Sequence, residues 1–402
     1  MSGLCWILIG GGALAALAFP GNPFCGIWLV NFSFFYVCLA ICIVPHEFGH
    51  FLAARWLGLR VFRVVIGRGR TLLKGRILEA DVDLKLYPFS GAVLAAHREL
   101  RGYRWKQFLF VMAGPAANFA LMLAALAVLR LRQPHFSPWR WWPNDGFAGW
   151  LVFAYANAFL LLNLWPRMVR TDIGMVASDG LSLFRALFGK ASSLQTAHAL
   201  WFFLEANASE QAGRREEGLD WLRRGLALYP DDQKLLEWLG LRLLSSGDLP
   251  AARSIFVRLL DRFAPGSPAR AIYLNNVAFT DALLGGEELL SEADRYSTEA
   301  LAAIPWLRFV RNTRGTTLLF LGRVEEALPL LRANAEDPKV NPRAAAECQC
   351  LLAIAEARRG DASAATRHLE QARLADPACY LIARAETEMA GIDAGKSEAQ
   401  VH

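Results

Sequence analysis

The stretch "VPHEFGHFLAARWLG", residues 44–58, ends a long apolar run and contains two histidines and a glutamate in the pattern H-E-x-x-H. In an α-helix, His46 and His50 project from one face and can share a metal ion, and Glu47 can reach a water bound to that ion. Zinc held by neutral imidazoles with one open position lowers the pKa of its water toward ~7. We therefore predict a zinc site in which Glu47 acts as general base.

Two other interpretations of this helix are open. Cys38, Cys42, His46 and His50 recur every four residues, which is compatible with a zinc site that has sulfur ligands. Small residues on a packed helix face give the same spacing, and we favour that interpretation for the cysteines. The histidines could also be interfacial residues that face lipid headgroups, with Glu47 paired to an arginine.

The composition divides the chain into two parts. Of its 402 residues 54% are hydrophobic, 13 are Trp and the mean hydropathy is +0.25, so a wholly soluble globular protein of this composition would need an extraordinary core. Nearly all the long uncharged runs lie within residues 1–165, whereas the rest is rich in Arg, Glu, Ala and Leu. We predict a membrane domain at 1–190 and a soluble helical domain at 191–402.

Four membrane spans are predicted in the first domain. An extra first span at 4–19 lacks the basic start of a signal peptide and is expected to be retained. The core spans are expected at about 26–56, 105–131 and 147–165.

The basic residues predict the orientation. Residues 55–106 contain twelve Lys or Arg, whereas residues 130–145 contain three. The larger basic loop is expected on the cytoplasmic side, which also places the carboxyl-terminal domain in the cytoplasm. No nucleic-acid-binding module accompanies these charges, so we do not expect nucleic acid as a partner.

A small β segment is predicted at 60–95, where short β-branched alternations are separated by Gly and Lys turns. A sheet edge beside a membrane offers unpaired N–H and C=O groups to an extended peptide.

The second domain contains a degenerate repeat. Its copies place a glycine at similar points, at intervals of roughly 34 to 38 residues: Gly213, Gly247, Gly322 and Gly360, with a less regular copy around Gly286. The pattern resembles tetratricopeptide repeats over residues 194–390. These repeats stack helix pairs into a solenoid that commonly binds a protein or peptide partner, although a purely structural role is the alternative.

Polar residues interrupt the later spans. Gly114, Pro115 and Asn118 lie inside the third span, where an amide is costly unless it forms a hydrogen bond. Asn163 and Pro166 end the fourth span, and Asp172 and Asp179 follow. A carboxylate from this segment could be the third zinc ligand.

Together these motifs resemble the site-2 protease family of intramembrane zinc metalloproteases over residues 25–190. The matching motifs are HEFGH (residues 46–50), G-P-x-x-N (114–118), N-x-x-P (163–166), D-G (179–180) and the "YPFSGAV" segment that contains Gly91. The resemblance implies that His46, His50 and an aspartate hold zinc, and that a membrane-embedded protein segment is cleaved. It also implies that Asn118 and Gly91 are substrate-binding residues.

One feature departs from the family pattern. Asp179 comes thirteen residues after Pro166, whereas Asp172 is nearer but is followed by Ile173. We assign the ligand to Asp179, with Asp172 as the alternative. Ser178 and Asp179 would also suit a helix N-terminus without any metal. Asn118 has an alternative role as well, an interhelical hydrogen bond.

The leading hypothesis is a polytopic intramembrane zinc endopeptidase with a cytoplasmic repeat domain that recruits a substrate or regulator. Its expected partners are a membrane protein substrate, the lipid bilayer and a protein or peptide bound by the repeats. The alternative is a catalytically inactive membrane scaffold whose repeats bind partner proteins.

Overall fold

The computed structural model describes residues 23–132, 149–171, 174–335 and 341–399. The chain forms two compact units, Met1–Ala208 and Ser209–His402. The boundary falls inside the helix Ala191–Gln211. The first span predicted at 4–19 lies outside the described residues.

Two helices in the described part of the chain are long and apolar enough to cross a membrane. They lie within α1 (Pro23–Trp56) and α2 (Tyr103–Arg132). The two helices approach closely at Gly49, where an added Cβ would lie 2.6 Å from the carbonyl oxygen of Ala113 and 3.3 Å from Ala117 Cβ. Small residues at a crossing allow such contact between membrane helices, and here the crossing lies one residue from His50.

The span predicted at 147–165 is not confirmed as a full span. Helix α3 (Gly149–Leu160) has twelve residues and continues as a 3-10 turn, Leu161–Leu164. The helix stops there because the residue before a proline is disfavoured in the α conformation, and Trp165 is extended with ψ of 121°.

A short hairpin follows Pro166 that the sequence analysis did not predict. Strands β3 (Met168–Thr171) and β4 (Gly174–Ala177) pair antiparallel, from Met168↔Ala177 to Thr171↔Gly174. The next helix, α4 (Asp179–Phe188), begins immediately after the hairpin.

The predicted β segment is present as β1 (Arg60–Ile77) and β2 (Ala80–Ala96), which pair antiparallel. The first part of β1 pairs with the end of β2, from Arg60↔Ala96 to Ile66↔Gly91, and the last part of β1 folds back on the start of β2. A buried cluster joins this sheet to α1 and α2, and its members include Phe51, Ala54, Val61, Val64 and Phe110. This packing fixes the sheet beside the helical turn that carries His50.

The second unit is a series of helices joined by short turns. The first of them, α5, begins in the membrane unit, and the series is α5 (Ala191–Gln211), α6 (Arg215–Leu228), α7 (Gln233–Ser246), α8 (Leu249–Leu260), α9 (Pro268–Leu284), α10 (Glu287–Ala303), α11 (Arg308–Phe320), α12 (Val324–Ala335), α13 (Pro342–Arg359), α14 (Ala362–Ala375) and α15 (Ile382–Ala399). The repeat glycines lie between paired helices with φ between 78° and 91°, a conformation that L side chains rarely adopt: Gly213, Gly247, Gly286, Gly322 and Gly360. Gly247 and Gly360 end their helices in the left-handed conformation, whereas Gly286, in the less regular copy, precedes a helix with ψ of 146°.

Candidate active site

His46 and His50 lie one helical turn apart on the buried side of α1. Nδ1 of His46 lies 2.5 Å from Oδ1 of Asn118, and Nδ1 of His50 lies 2.8 Å from the carbonyl oxygen of Phe110. An oxygen acceptor at Nδ1 places the ring proton on that nitrogen and leaves Nε2 with a free lone pair. Both rings therefore present Nε2 as a metal ligand.

Asp179 meets these two nitrogens although it lies more than 120 residues further along the chain. Its Oδ2 is 3.1 Å from His46 Nε2 and its Oδ1 is 3.5 Å from His50 Nε2, and the two Nε2 atoms are 3.3 Å apart. Within the described residues, these three form the group whose ligand atoms, all within 4.8 Å of one another, could hold a metal ion.

The donor set fits zinc. Two imidazole lone pairs and a carboxylate converge on one point. A single proton placed there could be shared by only two of these three acceptors, whereas a metal ion can bind all three. Zn²⁺ accepts imidazole nitrogen and carboxylate oxygen together, and three protein ligands leave a fourth position for water. The alternative cysteine ligands do not join this group: Cys38 and Cys42 are buried on α1, and the Cys42 Sγ accepts a hydrogen bond from Asn157.

The carboxylate of Asp179 is oriented and ionised. Asn163 Nδ2 donates to its Oδ2 at 2.6 Å. Burial raises the pKa of Asp179 and the two neighbouring histidines lower it, and the net direction is downward. A lowered pKa favours the deprotonated form that a metal ligand must have.

The β3–β4 hairpin accounts for the unusual spacing before Asp179. The Ser178 hydroxyl donates to the Trp165 carbonyl at 2.8 Å, and the backbone N–H of Ser178 donates to the Arg167 carbonyl at 2.9 Å. The inserted residues therefore fold back on themselves. Ser178 lies next to Trp165, and Asp179 comes directly after it. Gly180 permits this closure, because a Cβ there would collide with the backbone carbonyl of Leu164.

Ser178 also supplies the helix cap that was the alternative role for Asp179. Its Oγ accepts a hydrogen bond from the Leu181 N–H at 3.3 Å, and Asp179 is the first residue of α4. The alternative ligand, Asp172, lies outside the described residues.

Two glycines lie directly against the site residues. A Cβ at Gly91 would collide with the carboxylate of Glu47, so strand β2 contacts the proposed base through a residue with no side chain. A Cβ at Gly114 would collide with Nε2 of His50. Gly114 therefore leaves room for the nitrogen of His50 that faces Asp179.

Asn118 is completely buried and forms interhelical hydrogen bonds. Besides its contact with His46, its Nδ2 donates to the Asn157 Oδ1 at 2.8 Å and to the Cys42 carbonyl at 3.2 Å. Sequence reasoning missed Asn157. The signal that could have found it is an uncompensated amide inside an apolar segment.

Comparisons with known proteins agree with this site. Residues 34–345 match the model of peptidase family M50. A putative zinc metalloprotease of Vibrio cholerae is 30% identical over 112 residues, which cover 24% of this chain and 25% of the relative. The regulator of sigma-E protease RseP of Escherichia coli is 32% identical over 112 residues, with the same 24% and 25% coverage. The chain thus spans about a quarter of the length of the curated relatives it matches.

Solved structures with some likeness are repeat proteins. A thermophilic TPR protein of Thermus thermophilus has a TM-score of 0.36 and 20% identity, covering 48% of this chain and 98% of that one. A tetratricopeptide repeat protein of Parabacteroides merdae has a TM-score of 0.35 and 12% identity, covering 72% and 98%.

The family match extends over most of the sequence and includes His46, His50 and Asp179, so the predicted resemblance is confirmed. This protein therefore belongs to peptidase family M50, the family of the site-2 proteases.

Proposed function

We propose that this protein is an intramembrane zinc endopeptidase that cleaves a membrane-embedded or membrane-proximal protein segment in regulated intramembrane proteolysis. One observation carries the proposal: His46 Nε2, His50 Nε2 and the Asp179 carboxylate converge at hydrogen-bond distances, next to the glutamate of the same motif. The zinc metalloproteases among the relatives support the choice of metal.

The residues of the site have separate roles in peptide hydrolysis. His46, His50 and Asp179 would hold Zn²⁺, which supplies a Lewis acid that makes water nucleophilic near neutral pH. Glu47, buried against Gly91, takes a proton from the attacking water and transfers it to the leaving nitrogen. Its burial excludes bulk water, which strengthens the electrostatic interactions of this carboxylate.

The sheet supplies a place for an extended substrate. Residues 91–96 pair with β1 on one side, and within the described residues no other strand pairs with them. A peptide added at this edge would be held extended next to Glu47, because Gly91 already contacts that carboxylate. Extension matters because a hydrogen-bonded helical carbonyl is poorly presented for attack. A crosslinking map in which a substrate contacts none of residues 60–95 would contradict this arrangement.

The membrane topology and the repeats complete the proposal. The four-span arrangement and the basic loop predict that the active site opens toward the cytoplasm and that the repeats lie there. We assign the repeats to the recruitment of a substrate or regulator, as stacked helix pairs commonly do. The contact with substrate backbone or oxyanion predicted for Asn118 stays a prediction.

The test of catalysis is Glu47→Gln, which keeps the shape of the side chain but removes the base. We expect zinc content and the circular dichroism spectrum to be unchanged, and cleavage of single-span test proteins in proteoliposomes to fall by about 10² to 10⁴-fold. Glu99→Gln is the matched control, since Glu99 is exposed before α2, and it should cleave normally.

Full cleavage by Glu47→Gln would exclude Glu47 as the base. Zinc-loaded, unmodified protein that cleaves no test segment would instead favour the scaffold alternative, in which the repeats carry the function.

A further inference from the structure

A chain of buried amides leads from His46 away from the metal-binding point. Asn118 Oδ1 faces His46 Nδ1, and Asn118 Nδ2 donates to Asn157 Oδ1. Asn157 Nδ2 in turn donates to the Phe153 carbonyl at 3.0 Å and to the Cys42 Sγ at 3.2 Å. Asn118, Asn157 and Cys42 have no exposed surface, so water cannot replace any of these contacts.

The Phe153 carbonyl, at the far end of this series of hydrogen bonds, determines which group donates in each of them. The Phe153 carbonyl can only accept, so it fixes the amide nitrogen of Asn157 on its own side and leaves Oδ1 facing Asn118. Asn118 must then present its nitrogen to Asn157, and the Cys42 carbonyl, which also only accepts, requires the same orientation. The oxygen of Asn118 is therefore left for His46, whose proton must lie on Nδ1.

We infer that Asn157 is a positioning residue of the zinc site: it acts through Asn118 to hold His46 in the tautomer whose Nε2 binds metal. The inference rests on the proposed function, because it assigns a role toward the same metal. Asn157 touches neither the ligand atoms nor any group that a substrate could reach, since it is fully buried behind Asn118. Its effect on the site must therefore pass through the Asn118 amide.

The experiment is a double-mutant cycle on zinc affinity in the full chain, measured in detergent by competition with a chelator. Asn118→Leu removes the direct partner of a ligand and should raise the zinc Kd by about 10 to 100-fold. Asn157→Leu removes only the orienting amide, and we expect a rise of about tenfold. If Asn157 acts through Asn118, the double variant should bind zinc as weakly as Asn118→Leu and no more weakly.

Asn31→Leu is the matched control for loss of a buried amide from a membrane helix. Asn31 is also buried on α1, fifteen residues before His46 and so roughly 22 Å away along the helix. The zinc affinity of the Asn31→Leu variant should equal that of the unmodified chain.

Three results would overturn the inference. They are an unchanged zinc Kd in Asn157→Leu, an effect of Asn157→Leu that persists in full in the Asn118→Leu background, and an equal effect of Asn31→Leu. Where Asn157→Leu does not fold, nitrogen-15 NMR of the histidines in the unmodified, zinc-free chain decides, because no metal selects the tautomer there: the amides must keep the His46 proton on Nδ1, and a proton on Nε2 would overturn the inference. An unmodified chain that binds no zinc would refute the proposed function as well, whereas zinc binding unaffected by Asn157→Leu would refute this inference alone.

Discussion

Carboxylates at the proposed site and carboxylates elsewhere in the molecule differ in their partners. Away from the site, buried carboxylates of both units pair with arginine: Asp281 accepts a hydrogen bond from Arg253 Nε at 2.5 Å, and Asp83 accepts one from Arg63 Nε at 2.8 Å. At the site, neither Glu47 nor Asp179 has a Lys or Arg partner among the described side chains. A buried charge is stable only when it is paired or bound to a metal. The difference supports the proposal that His46, His50 and Asp179 bind a metal cation.

Close-packed glycines show the same division. In the repeat unit, a Cβ at Gly240 would lie 2.7 Å from Cε1 of Phe256, so this glycine admits an apolar side chain of the next helix. In the membrane unit, Gly114 admits the metal-binding nitrogen of His50. Glycine therefore serves helix packing at Gly240, as it does at Gly49, and the geometry of the proposed site at Gly114.

Gly114→Ala should produce the largest effect and tests this contrast directly. The added methyl group must displace the His50 ring, so we expect the zinc Kd to rise by on the order of 100-fold or more. Helix α2 itself should not suffer, because alanine is the better helix former by about 1 kcal/mol. Chelator competition measures the affinity.

The matched control is Gly240→Ala, which should lower the thermal stability of the repeat unit and leave zinc affinity unchanged. Normal zinc affinity in Gly114→Ala would remove the distinction between the two glycines.

Gly91→Ala should produce the next largest effect, on catalysis alone. The methyl group collides with the Glu47 carboxylate and must move it, and a misplacement of ~1 Å can cost about 10²-fold in rate. Zinc should stay bound, because the ligands are not contacted. The measurement is cleavage rate per bound zinc.

Gly75→Ala, on strand β1 with nothing within 4 Å of its added Cβ, is the control. A rate in Gly91→Ala equal to that of this control would show that the position of Glu47 does not depend on β2.

Asp281→Asn should produce the smallest effect, and it sharpens the comparison from the repeat side. Burial raises the pKa of Asp281 from its ordinary 3.8 to about 6, although Arg253 opposes the rise. Because the folded form holds the proton more tightly, the stability this group contributes is full below pH 4 and is lost as pH rises through 6. The loss is at most about 3 kcal/mol.

Asp281→Asn should remove most of that pH dependence in urea unfolding of the full chain, followed by circular dichroism between pH 4 and pH 7. Asp261→Asn, at an exposed position, should keep it. An identical pH dependence in both variants would show that burial of Asp281 has no such cost.

The local part of this structure could be predicted from the sequence. The spacing of His46 and His50 is a property of the helix itself, and the apolar runs gave α1 and α2 within a few residues of the expected 26–56 and 105–131. The β segment also appeared where β-branched alternation predicted it.

Features that depend on distant contacts could not be predicted. The purpose of Gly114 becomes visible only when His50 lies against it, and the role of Asn157 requires three helices in place. The hairpin after Pro166 has only a weak signal, the short runs "MVRT" and "GMVA" beyond the span expected at 147–165. That hairpin explains why thirteen residues separate Pro166 from Asp179 without moving the carboxylate away from the site.

The measurement that most directly tests the account is the zinc content of detergent-purified protein, compared with Asp179→Ala and Asp81→Ala. Asp81 is an exposed aspartate of β2 and serves as the matched control. We predict about one zinc per chain in the unmodified protein and in Asp81→Ala, and its loss in Asp179→Ala. Full zinc content in Asp179→Ala would contradict Asp179 as the third ligand and favour Asp172 instead. An unmodified protein that contains no zinc after purification without chelator would contradict the zinc site itself.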